Sequence, residues 1–294
     1  MMYFDYDQRS LNAQYMNLLS KTHTRGIVEV NERTKNIVTT LPYQYNINID
    51  MRFMENKILL LNNRRYYPHI AAAETAWQLL GTKDAYLMNK FAPKLWGKFT
   101  NQKGEVETAY GYRWQNHFGR NQLLEGIEAL IEDNTNRQIV ISAWDPKTDG
   151  LLNIGNQKNV PCPVMFTLNI IDNKLNMSVF IRSSDIVLGL PYDIMNYMFL
   201  YNAIRISLSI NDKIENGYIN FTLANAHYYK NQKDVVITSL RNINNLNDEA
   251  FIYDDFSINY IIENAESFIH NIKEKSKKTQ NYLHQYNPKI EVVE

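Results

Sequence analysis

Residues 164–171 and 175–181 read as two strand-like runs separated by Asp172-Asn173, a dipeptide that favours a tight reversal between antiparallel strands. Immediately before this hairpin stands Cys162, the only cysteine, between Pro161 and Pro163. Immediately after it runs Arg182-Ser183-Ser184-Asp185-Ile186-Val187-Leu188-Gly189-Leu190-Pro191-Tyr192-Asp193, and residues 195–208 are then apolar on most faces, as in a buried helix. A hairpin that must cover one face with such a helix points to an α+β fold: a mostly antiparallel or mixed sheet with helices packed on it.

The rest of the chain fits that class. Residues 10–22 have helical character. Residues 44–61 alternate loosely and read as strand. Pro68 opens a helix ended by Gly81, and Leu123, Leu124, Ile127, Leu130 and Ile131 keep helical spacing across 120–134. Residues 138–144 and 218–223 read as further strands, and 259–283 as a helix with Lys-rich faces. No linker or repeat divides the 294 residues, so one domain over 1–294 is expected, with 1–25 as an N-terminal extension and 284–294 as a candidate C-terminal lid. Lys+Arg and Asp+Glu both number 31, which removes a bulk electrostatic argument for nucleic acid or an anionic membrane; any anion site must be local. The first ten residues contain no apolar leader and no run is long enough to span a bilayer. With one cysteine and no metal-ligand cluster, a metal-free protein of a reducing cytoplasm is expected, in a bacterium or a phage-infected host.

Four constellations carry chemistry. A lone cysteine is usually a small buried hydrophobe, but flanking prolines suit a rigid turn better than a strand core, and a thiolate there needs a nearby cation. Arg182-Ser183 is a weak signal alone, although a guanidinium beside a hydroxyl suits a phosphate. The Gly189-Leu190-Pro191 segment reads as a turn that lets backbone approach a ligand, and Asp193 as an acid that reads a polar edge. Glu74 interrupts the apolar Ala71-Ala72-Ala73-Glu74-Thr75-Ala76-Trp77; facing an apolar cleft, its carboxyl would have a raised pKa and could act as acid or base. Asn225-Ala226-His227-Tyr228-Tyr229 follows a strand and could bond sugar hydroxyls. Together these residues suggest covalent chemistry on a phosphorylated small molecule.

Taken in order over about residues 30–230, they resemble the thymidylate synthase family. Its Arg-Thr pair stands as Glu32-Arg33-Thr34, its Glu-Leu-Leu-Trp as Glu74-Thr75-Ala76-Trp77, its Ile-Trp and Tyr-Gly as Leu95-Trp96 and Tyr110-Gly111. Its Ser-Arg-Arg before Ser-Ala-Trp stands as Asn136-Arg137-Gln138 before Ser142-Ala143-Trp144, its Pro-Cys-His as Pro161-Cys162-Pro163, and its Asp-x-His-x-Tyr as Asn225 to Tyr229. The resemblance implies that Cys162 attacks C6 of a pyrimidine nucleoside monophosphate. It implies that Arg33, Arg182 and Ser183 hold the 5′-phosphate, and that Arg137 reaches the phosphate in the other subunit of a sheet-to-sheet homodimer. Glu74 would organise water and move protons, and Tyr110 would join it at the reacting centre. His227 and Tyr229 would bond the sugar. Trp96, Asp185, Gly189 and Arg64 would line the site of 5,10-methylenetetrahydrofolate, the one-carbon donor.

The departures are informative. The family asparagine that reads uracil is Asp193 here, Pro163 replaces the histidine after the nucleophile, and Gln138 replaces a phosphate arginine, with Lys35 as a candidate substitute. Cytosine inverts the donor–acceptor edge of uracil, and a carboxyl can match the inverted edge. The change is similar to the deoxycytidylate and cytidylate 5-hydroxymethylase branch, which implies hydroxymethylation of dCMP or CMP, with dCMP favoured by the retained Ser183. The alternatives are ordinary dUMP methylation and a catalytically silent nucleotide-binding homologue.

Overall fold

The computed structural model describes residues 10–31, 35–53, 57–59, 66–150, 159–209, 213–241 and 250–286. Eleven strands lie among these residues: β1 Ile27–Asn31, β2 Asn36–Thr40, β3 Tyr45–Asp50, β4 Lys57–Leu59, β5 Val140–Ser142, β6 Pro163–Ile171, β7 Lys174–Ile181, β8 Ser184–Asp185, β9 Glu215–Leu223, β10 Ala226–Tyr229 and β11 Ala250–Ile252. The α-helical elements are α1 Leu11–Arg25, α2 Pro68–Leu79, α3 Tyr86–Phe91, α4 Pro93–Trp96, α5 Tyr110–Tyr112, α6 Gln122–Glu132, α7 Gly189–Leu208, α8 Lys233–Arg241, α9 Ile258–Glu263 and α10 Ala265–Tyr286.

The main sheet has the order β3-β9-β7-β6-β5. Its ladders are antiparallel except β7 with β9, which run parallel, so the sheet is mixed. Asp172 and Asn173 both take left-handed φ, 50° and 57°, the geometry of a two-residue hairpin turn that matches the twist of its strands. One face of this sheet is buried through Ile47, Ile49, Ile219, Phe221, Met177, Val179, Phe166 and Leu168. Helix α7 lies in that core, with Met198, Leu200, Tyr201 and Ile204 fully buried. A smaller sheet, β1-β2-β10-β8, stands beside the first, and β4 pairs with β11. Helix α1 is stitched to the small sheet: the Tyr15 hydroxyl donates to the Ile186 carbonyl at 2.7 Å.

Several elements depart from the sequence-based expectation. The strand expected over 44–61 ends at Asp50, where a 3-10 turn, Met51–Phe53, intervenes before β4. The expected strand over 138–144 pairs only at Val140–Ser142. The helix expected over 259–283 is two helices broken at Asn264. Most consequential is α7, which begins at Gly189 rather than after Asp193. Gly189-Leu190-Pro191 is therefore not a free turn but the first turn of a helix, where proline is tolerated because its missing N–H has no intrahelical acceptor.

The segment after β5 is held by charge rather than by apolar packing. Arg113, in the helical turn following α5, forms a bidentate pair with Asp149, and both side chains are buried. Arg113 Nη1 also donates to the Ala143 carbonyl at 3.1 Å, and Asp149 Oδ2 accepts from the Asp145 N–H at 2.9 Å. A buried pair stripped of one partner leaves an unpaired charge, so Asp149→Ala is expected to destabilise the protein by about 3–5 kcal/mol. A shift of the urea midpoint measures this, and a midpoint within error of the wild type would contradict it.

Candidate active site

Four elements converge on one cleft. Cys162 is half-buried in the bend that leads into β6. Its carbonyl accepts from the Arg182 N–H at 2.9 Å, tying the end of β7 to the Cys162 bend. The Arg182 side chain donates from Nε to the Pro161 carbonyl at 2.8 Å and from Nη2 to the Val160 carbonyl at 3.0 Å, and its guanidinium lies over the Trp144 ring, 5.5 Å from the centroid. This arginine thus orders the Pro161-Cys162 segment, and Nη1 is left with no described protein acceptor. Half-buried Ser183 is next to it.

Glu74 and Tyr110 come from the other side. Helix α2 is buried at every position from Ala71 to Leu79, Glu74 included. Glycine at 111 is required for this approach: a Cβ there would collide with the backbone of Gln78, so α5 can lie directly on α2 and bring Tyr110 to Glu74. The Tyr110 hydroxyl is met by the Cys162 backbone and is pushed well above its ordinary pKa, first by burial and then by the nearby Cys162, Asp193 and Glu74. Burial also pushes the Glu74 carboxyl up to about 8, with Asp193 adding to the rise. The Trp96 indole N–H opposes the rise, but its Nε1 has no partner at hydrogen-bonding range, so the opposition is weak. Asp193, in the second turn of α7, is pushed up to about 7 by burial and by Asp185. Its exposed area makes it half-buried although protein surrounds the carboxyl, as expected for a group on the floor of an open cleft. Tyr197, one turn further, faces the same two carboxyls.

The third wall is the junction of β8 and β10, which places Asp185 opposite His227 in parallel register. Asp185 Oδ1 accepts from the N–H groups of Val187 and Leu188, both at 3.0 Å, and Oδ2 accepts from Gln232 Nε2 at 2.9 Å. Gln232 in turn accepts from the Tyr229 N–H at 2.8 Å. His227 lies 3.1 Å from Asn225 Oδ1 through Nδ1 and packs edge-on against Tyr229; burial lowers its pKa against the pull of Asp185. It is therefore a neutral hydrogen-bonding group near pH 7. A cavity of about 970 Å³ opens beside these residues, lined by Ile37, Phe99, Leu188, Asp185 and Tyr229, with Lys35, Lys98 and Lys230 at its edge. Apolar walls, one acid and a basic rim suit a flat polar heterocycle with an anionic tail.

The structure thus brings together Cys162, Glu74, Tyr110 and Asp193, with Arg182, Ser183, Asp185, His227 and Tyr229 around them. Gly189 sits between Asp185 and Asp193; a Cβ there would meet them at ordinary contact distances of 3.7 and 4.0 Å, so the free protein needs no glycine at this point. Trp96 is buried edge-on against Trp77, Phe99 and Tyr110. Arg137 is exposed ahead of the edge strand β5 and is not brought to the other residues of its own chain. Arg33 and Arg64 lie outside the described residues. Among the described residues no group of three metal-ligating side chains occurs.

This arrangement is matched in sequence as well. The profile of the family described as "Thymidylate synthase" covers residues 13–293. The chain belongs to the thymidylate synthase family. It is 26% identical over 235 residues to the thymidylate synthase of Francisella philomiragia subsp. philomiragia, covering 76% of this chain and 82% of that protein. It is 27% identical over 225 residues to the thymidylate synthase of Wigglesworthia glossinidia brevipalpis, covering 74% and 79%. As a family member the chain is a one-carbon transferase of the thymidylate synthase type, with folate as the donor and a pyrimidine nucleotide as the acceptor.

Sequence reading did not single out Gln232, Asn196 or Phe99. Only Asn196 carried a signal, three residues beyond Asp193 and so on the same helical face, once the helix is known to start at Gly189.

The raised carboxyls have a stability consequence. Glu74 titrates at about 8 in the folded protein against 4.5 as its ordinary value. Its buried neutral form therefore contributes stability that is complete below about pH 4.5 and lost as pH rises through about 8. Glu74→Gln keeps the shape without the charge. It is expected to flatten the fall in stability between pH 5 and pH 8.5, a difference on the order of 3 kcal/mol between the two proteins. Urea midpoints at the two pH values test this; parallel declines in both proteins would refute it.

Proposed function

We propose that this family member hydroxymethylates C5 of a cytosine nucleoside monophosphate, dCMP in preference to CMP. The observation that carries the reading is the Asp193 carboxyl in the cleft of Cys162, Glu74 and Tyr110, held protonated in part near neutral pH. A neutral carboxyl donates its O–H to N3 of cytosine and accepts from the 4-amino group, and protonic character at N3 makes C6 more electrophilic. Uracil places O4 where cytosine places its 4-amino group, and the ionised form of Asp193, which only accepts, leaves O4 unpaired.

In this reading Arg182, Ser183 and Arg33 hold the 5′-phosphate, and His227 and Tyr229 bond the sugar. Cys162 adds to C6, which makes C5 nucleophilic. Bound 5,10-methylenetetrahydrofolate supplies a one-carbon unit at the oxidation level of formaldehyde; Asp185, Trp96, Phe99 and Leu188 line the space that would hold it, with Gly189 and Arg64 assigned beside it. Tyr110 relays the proton released from C5. Glu74 holds the water whose oxygen ends on the new C5 substituent, and departure of Cys162 restores the ring. Two subunits joined through the exposed face of the main sheet, which carries Asn46, Asn48, Tyr218, Ser178 and Met165, would give exposed Arg137 a role at the partner's phosphate.

Incubation with methylenetetrahydrofolate and dCMP, CMP or dUMP, with products followed by mass, tests the proposal; turnover of dUMP alone would sink it. A second reading, methylation of dUMP, is favoured by the names of both relatives. It is distinguished by the absorbance of dihydrofolate, which that reaction forms and hydroxymethylation does not.

A further inference from the structure

Behind the carboxyl pair lies a polar contact between two helices that are otherwise apolar where they meet. Thr75, Gln78 and Asn196 are all buried. Thr75 Oγ1 is 2.7 Å from Asn196 Oδ1 and 2.9 Å from the Ala71 carbonyl, and Asn196 Nδ2 donates to Gln78 Oε1 at 3.2 Å. Gln78 is fixed from its far side as well, since Gln115 Nε2 donates to the carbonyls of Gln78 and Leu79 at 2.7 and 3.1 Å. Buried polar groups of this kind are costly unless paired, so the Thr75–Asn196–Gln78 contacts favour one register between α2 and α7, although Gln78 Nε2 has no described partner.

That register matters because of what stands beside each member. Thr75 follows Glu74 on α2, and Asn196 lies one turn beyond Asp193 on α7. We infer that Thr75 and Asn196 form a positioning clamp that sets how closely the Glu74 carboxyl approaches the Asp193 carboxyl. The inference rests on the proposed catalytic use of those carboxyls but concerns residues that touch neither substrate. Among the described residues the charged and titratable groups facing the pair are Asp185 from β8, Tyr110 from α5, Tyr197 from α7 and Cys162 from the bend before β6. None is a cation, so separation of the helices is the variable that governs how hard the two carboxyls repel. Loosening the clamp separates them and admits water; both effects lower the Glu74 pKa.

The test uses the full-length, ligand-free protein with 13C-labelled glutamate carboxyls, the Glu74 signal being identified by its loss in Glu74→Gln. Thr75→Val preserves shape and removes the hydroxyl. Its Glu74 midpoint is expected to fall by at least about half a pH unit, a threefold change in proton affinity. Turnover is expected to fall about tenfold or more with KM within about twofold, as for loss of an interaction expressed in the transition state. Thr75→Ser should return most of both losses. Should the valine variant fail to fold, Asn196→Ser breaks the same contact from α7 and should shift the midpoint in the same direction. A lowered melting temperature with an unchanged Glu74 midpoint and unchanged kcat would reduce the network to a structural role and overturn the clamp. If the wild type turns over dUMP and not dCMP, the cytosine reading fails, while the titration still decides the clamp.

Discussion

Cys162→Ser is expected to lower turnover by at least about 10³-fold while leaving nucleotide affinity within a few-fold. Serine is close to isosteric, so the bend before β6 and the hydrogen bond from the Arg182 N–H to the residue-162 carbonyl should persist. What is lost is the low-energy anion: a hydroxyl is far harder to deprotonate than a thiol. The Arg182 N–H is hydrogen-bonded to the Cys162 carbonyl, but much of the guanidinium's donor capacity is used on the carbonyls of Val160 and Pro161. Single-turnover mass spectrometry decides the matter. Retention of wild-type turnover in the serine variant would rule out covalent catalysis, whatever the base specificity proves to be.

Asp193→Asn is the second large effect. The amide offers N–H and C=O where the neutral acid offers O–H and C=O, and it loses the option of ionising. It is expected to lower kcat/KM on dCMP by about 10²-fold or more and to raise it on dUMP, because an amide cannot become the acceptor-only carboxylate that pairs with N3-protonated cytosine and leaves the uracil O4 unpaired. The variant should also be less sensitive to pH near 7, since the group that titrates there is gone. Competition between dCMP and dUMP in one tube, read by mass, gives the ratio directly. An unchanged ratio would assign base selection to another residue.

Much of the fold was legible because its strands and helices are long and periodic. The β6–β7 hairpin combines two strongly β-prone runs with Asp172-Asn173, and local chemistry there agrees with the tertiary outcome. The start of α7 was not legible, because glycine and proline within three residues signal a turn locally; buried Leu190 and Pro191 show that packing overrides that signal. The break at Asp50 was hidden by continuing apolar residues, although Met51 itself is buried. At the site, ordered matches named Cys162, Glu74, Tyr110 and Asp193, which the fold brings into one cleft. They could not place Gln232 or Asn196, whose contributions depend on partners 47 and 121 positions away.

The strand order also governs when this enzyme can exist during synthesis. β2 pairs with β10, β3 with β9 and β4 with β11, so the N-terminal strands wait for partners made far later. Before residue 223 has emerged, β3 has no described strand to lie against, and among the described residues of the first sixty the β1–β2 hairpin is the only pairing formed locally. Ladders of such sequence separation are slow to close, because a long loop must be immobilised before any contact repays it. A nascent chain stopped just after α7 already contains Cys162, Glu74 and Asp193, yet lacks the strand that joins β3 to β7. The cleft is therefore completed only when the chain is nearly whole.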